Sequence, residues 1–112
     1  MKYAMVIVTD AASEPPSEAE LEFETLVRWW ADLREQGKIV ATARLAPART
    51  ASTVSWRDRE PVVTDGPYIE AKEAVGGFVL VEVESRAEAL EIARSWPGRA
   101  GMRVEVRQVL PI

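Results

Sequence analysis

Apolar and polar positions along this chain repeat with two periods, and the places where the period changes mark out its elements. Across residues 2–8 both sides of a two-residue repeat are apolar, with Tyr3, Met5 and Ile7 on one and Ala4, Val6 and Val8 on the other. That predicts a strand inside a sheet, because an antiparallel strand with one side in water is polar on that side. Thr9 to Pro16 collects Asp, Ser and paired prolines and predicts a loop. From Ser17 the period becomes helical. Ser17 and Glu20 have the spacing of a capping box, and Ala19, Phe23, Leu26, Val27, Trp30 and Leu33 predict one buried stripe. Gly37 stands where a left-handed residue would end the helix. Leu21 lies off the stripe and Trp29 at its edge, where a large indole is expected to cover the core margin or a subunit contact.

Ile39 to Leu45 predicts a second strand, with Ile39, Ala41, Ala43 and Leu45 facing one way and Val40, Thr42 and Arg44 the other. Pro47 ends it, since proline cannot donate to a ladder. Residues 53–57 and 61–64 flank the turn Asp58-Arg59-Glu60 and predict a short hairpin. Residues 78–84 again carry two apolar faces, Phe78 and Leu80 against Val79, Val81 and Val83. Ser85 and Glu88 repeat the capping box. Ala89, Leu90, Ala93 and Trp96 predict a second amphipathic helix, stopped by Pro97-Gly98. In the last strand Met102, Val104 and Val106 alternate with Arg103, Glu105 and Arg107, leaving one face for water.

With the hairpin set aside, the order is strand, helix, strand, strand, helix, strand. This predicts one α+β domain over residues 1–112, a ferredoxin-like βαββαβ unit with an inserted β-hairpin, its first and third core strands in the middle of the sheet. Two helices cover one face of such a sheet. The other face exposes more apolar surface than a monomer tolerates, so a homodimer is expected, a two-fold partner laying its sheet against this one.

Composition narrows the chemistry. The 112 residues are 47% hydrophobic and 29% charged, as in an ordinary globular domain. The net charge of −4, with Lys and Arg scattered, argues against direct nucleic-acid binding. No apolar run is long enough to span a bilayer, and the one at the N-terminus meets Asp10 too soon for a signal peptide, so a cytoplasmic protein is expected. There is no cysteine, hence no disulfide, thiolate nucleophile or thiolate metal site. There is no histidine, which excludes Ser-His-Asp and Cys-His mechanisms and leaves acid–base work to Asp, Glu, Lys or Tyr. Without those ligands only a hard, oxygen-bound ion such as magnesium would fit, and no metal is expected. Gly76-Gly77 is not followed by a helix, so no phosphate cradle is formed, and no cofactor is expected.

Chemistry and unusual backbone are concentrated in Asp65-Gly66-Pro67-Tyr68-Ile69-Glu70-Ala71-Lys72-Glu73-Ala74-Val75-Gly76-Gly77-Phe78. Read structurally, Asp65 accepts from backbone amides in a turn, Pro67 fixes its own φ, Tyr68 anchors the loop, and Glu70, Lys72 and Glu73 form exposed ion pairs. Gly76-Gly77 allows a bulge or a close backbone contact. Read functionally, the stretch opens on a pocket between sheet and helices. There Asp65 serves as a base if burial raises its pKa, and Tyr68 donates to a carbonyl. Lys72 or Arg107 holds an anionic substrate, with Arg44 and Arg49 nearby and Glu70 counted among the ligand contacts.

This signature resembles the YCII-related family, and within it the branch marked by an Asp-Gly-Pro-Phe motif. The likeness extends to Met1-Lys2-Tyr3, Leu45 with Pro47, Thr53-Val54, Glu88-Ala89-Leu90 and Glu105-Val106-Arg107. It implies a dimeric α+β barrel of ferredoxin-like protomers. Some members of the wider family resemble small-molecule lyases or dehalogenases that use a histidine and an aspartate. Others are found beside or fused to extracytoplasmic-function sigma factors. This chain has no histidine, so only Asp65 carries over, as a lone carboxylate. Three functions are therefore expected in order: a non-catalytic dimeric module binding a small molecule or protein partner; a lyase or isomerase using Asp65 with Tyr68 or Lys72; and an accessory to transcription without direct DNA contact.

Overall fold

The computed structural model describes residues 1–10, 23–67, 73–98 and 101–112. These hold a mixed α+β fold in the order β1 (Lys2–Asp10), α1 (Phe23–Glu35), β2 (Ile39–Arg44), β3 (Ser52–Arg57), β4 (Glu60–Asp65), β5 (Glu73–Glu82), α2 (Arg86–Ser95) and β6 (Arg103–Gln108). A four-stranded antiparallel sheet runs β2-β5-β1-β6, and β3 and β4 pair apart from it as a hairpin. The two central strands are thus β1 and β5, the ones with two apolar faces.

Both helices pack on one face of the sheet. Tyr3 and Met5 of β1 and Val79 and Val81 of β5 are buried there with Val83, Leu33 of α1, and Ala89 and Ile92 of α2. Register explains the sidedness: Tyr3 lies opposite Val81 and Met5 opposite Val79, and directly opposed residues share a face. Ala4 and Val6 of β1 oppose Leu80 and Phe78 on the other face.

Several expectations needed correction. Strand β5 begins at Glu73 and not at Phe78, so the last residues of the signature are ladder and not connection. A bulge between Ile39 and Ala41 changes the sidedness of β2. It places Thr42 and Arg44, opposite Val79 and Gly77, on the helix-covered face with Ile39, and Ala41 and Ala43 on the open face. A strict two-residue alternation cannot foresee one inserted residue. On α1 Leu26 and Leu33 are buried, whereas Val27 is exposed and off the stripe. On α2 Ile92 is buried and Leu90 is exposed. Ser17, Ala19, Glu20 and Leu21 lie outside the described residues.

The terminators follow expectation. Gly37 has φ +70°, its N–H donates to Arg34 O, and the Lys38 N–H donates to Leu33 O, both at 3.0 Å. This pair of bonds satisfies the last carbonyls of α1. At α2 the Ser85 hydroxyl accepts from Glu88 N at 3.1 Å, and the Glu88 carboxylate accepts from Glu84 N at 3.1 Å. Asp58 and Arg59 both take positive φ, which gives the hairpin the two-residue turn whose twist matches its strands.

Candidate functional site

A cavity of about 420 Å³ lies between the N-terminal half of α1 and the helix-covered face of the sheet. Its volume has a sequence origin. Ala74, Gly76 and Gly77 of β5 and Ala46 and Ala48 after β2 line it. Small side chains there leave unfilled the space that Val or Leu occupies elsewhere in the layer. Leu26, Trp30 and Trp96 close the helix side.

The glycine pair builds the floor by two separate devices. Ile7 opposes Gly77 while Val8 opposes Val75, so Gly76 is the extra residue of a bulge. A Cβ on Gly77 would stand 2.6 Å from Ala43 O, so β2 and β5 approach closely only because that atom is missing.

Polar groups on the cavity wall are few. The Thr42 hydroxyl donates to Phe78 O at 3.0 Å, so its proton is used within the sheet. Arg44 lines the cavity and is the one charged residue among the described residues that do so. Trp30 also lines it, and its indole N–H is buried with no hydrogen-bond partner. Trp29 differs, since its indole donates to Ser95 Oγ at 2.8 Å and ties α1 to α2.

The candidates read from the sequence are thus separated. Asp65 ends β4 as an exposed residue outside the cavity wall, and among the described residues nothing donates to its carboxylate. The turn at Asp65-Gly66 is held otherwise. Gly66 has φ +97°, its N–H donates to Ala51 O at 2.6 Å, and the Thr53 hydroxyl donates to Gly66 O at 2.7 Å. Arg107 lies opposite Ala4, on the far face of the sheet from the cavity, and is 3.8 Å from Glu105. It therefore cannot join Arg44 around one ligand held in this cavity. Tyr68, Glu70 and Lys72 lie outside the described residues. The signal missed in the sequence is Trp30: assigned to core packing, it carries a polar N–H on a helix that faces a cavity also lined by Ala74, Gly76 and Gly77.

Comparison with known families matches the YCII-related domain over residues 1–112. The chain belongs to the YCII-related family. A protein of Rhizobium meliloti (strain 1021), described as uncharacterized, is 43% identical to this YCII-related chain over 60 residues, which is 54% of this chain and 48% of that protein. The match thus spans about half of the relative's length. Among the described residues of the YCII-related chain no helix is long and apolar enough to cross a membrane.

Proposed function

We propose that this protein is a dimeric YCII-related module of the Asp-Gly-Pro-Phe branch that binds a small molecule between α1 and the sheet without catalysing its conversion. The cavity carries this reading. Its volume of about 420 Å³ falls in the range of small-molecule sites, and its wall is mostly apolar with few polar groups, the pattern of such sites. The position of Asp65, exposed and away from that wall, supports binding over catalysis. The strand order β2-β5-β1-β6 supports the ferredoxin-like protomer. The apolar side chains of the open face, Val6, Phe78 and Leu80, support a two-fold partner.

Thermal shift against a panel of small aromatic and carboxylate compounds tests the binding. Compounds that enter the cavity raise Tm in a concentration-dependent way. In an Ala74→Leu variant, whose added side chain occupies the cavity, the same compounds give no shift. A panel without a responder, or an equal response in the filled variant, removes the reading.

A further inference from the structure

We propose that the cavity takes a small apolar molecule bearing a carboxylate, and that the Trp30 indole N–H donates to a carboxylate oxygen. The proposal rests on reading the cavity as a binding site and adds the class of ligand.

Three observations converge on it. Indole nitrogen is a donor only, so its single polar requirement is an acceptor. Buried donors in folded proteins are nearly always paired, yet Trp30 Nε1 is buried without a partner. No group of the wall accepts from it: Trp30 lines the cavity and its Nε1 still has no hydrogen-bond partner. Finally, no described residue lining the cavity is acidic, and the charge that Arg44 brings is positive, in a chain whose net charge is −4. A carboxylate therefore meets no described like charge on that wall. The remaining wall, with Leu26, Ala74 and Trp96, suits a hydrocarbon or aromatic body. Donation to the ligand needs a turn of the indole about its side-chain torsions, which brings the buried Nε1 toward the cavity that Trp30 lines.

Calorimetric titration of the full chain with phenylacetate and with ethylbenzene, its hydrocarbon counterpart, tests this. Trp30→Phe keeps an aromatic ring and removes the N–H. The expected result is that it weakens phenylacetate binding about tenfold or more, the effect of losing a hydrogen bond to a charged acceptor, and alters ethylbenzene binding by less than about twofold. Equal weakening of both would show that the ring only packs, and it overturns the proposal. Ethylbenzene binding with no phenylacetate binding also overturns it, while the binding cavity survives. Failure of both to bind removes the cavity reading and the proposal together. Should Trp30→Phe not fold, the assigned Nε1–H resonance of Trp30 in the unaltered protein decides. Phenylacetate is expected to move its proton downfield and ethylbenzene not to, and an unmoved resonance at saturating phenylacetate overturns the proposal.

Discussion

At Gly77 a single missing methyl group permits the approach of β2 to β5. An alanine there would place its Cβ 2.6 Å from a backbone oxygen, which cannot swing aside as a side-chain tip can. Gly76, one residue away, has nothing within 4 Å of the same position. Urea unfolding of the two alanine variants is expected to separate them. Gly77→Ala should lose about 1–3 kcal/mol, as overpacked sites do, and Gly76→Ala should stay within about 0.5 kcal/mol of the parent. Equal losses would mean that the two strands adjust to the extra carbon. The sequence places both glycines in one phrase and cannot say which needs its missing Cβ. That depends on a carbonyl more than thirty residues earlier in the chain.

Among the elements, α2 shows local signals at their most legible. Ser85 and Glu88 were readable as a capping pair because both bonds close within four residues, without help from the rest of the fold. The partner unforeseen in the sequence is Lys38, whose Nζ lies 3.0 Å from the Glu88 carboxylate. The backbone N–H of Glu84, and after it the Lys38 ammonium, hold the Glu88 carboxyl below the ordinary glutamate range. The sign follows from linkage. A carboxyl whose pKa is depressed by folding stabilises the native state above its unfolded pKa of about 4.3 and loses that contribution as pH falls through the folded value. The Tm difference between the parent and Glu88→Gln should therefore be level near neutral pH and shrink as pH drops below about 4. A difference that stays constant to acid pH would show that the carboxylate charge contributes nothing. Strand β5 illustrates the opposite case. Its first residues, Glu73 to Gly77, carry charge and glycine and read as loop, and pairing with β1 and β2 draws them into the sheet.

For the whole molecule, the unresolved balance is between the two faces of one sheet. The helix-covered face buries Met5, Val79 and Val81 almost completely. On the open face Leu80 is half-buried and Phe78 is 36% exposed. A partner sheet would complete their burial, which is the expectation behind the proposed dimer. Leu80→Asp places an unpaired charge at that seam and is expected to convert a dimer to a folded monomer in sedimentation velocity, with its far-ultraviolet dichroism retained. A parent protein that already sediments as a monomer down to micromolar concentration would remove the dimer. The hairpin is a further apolar surface, with Trp56 70% and Val63 67% exposed.

The sequence by itself determined the element types and order, the Ser85–Glu88 cap of α2, the Gly37 stop of α1 and the identity of the central strands. Each of these is written in contacts within a few residues or in a period that one strand carries alone. It also excluded histidine and cysteine chemistry outright. Only the tertiary structure decided which face Arg44 and Thr42 occupy, that Arg107 lies across the sheet from them, and that Asp65 stands apart from the cavity. Those facts turn on a one-residue bulge in β2 and on the pairing of strands distant in the chain. Side-chain direction reverses with each residue of a strand, so one unforeseen insertion moves a candidate from one side of the molecule to the other.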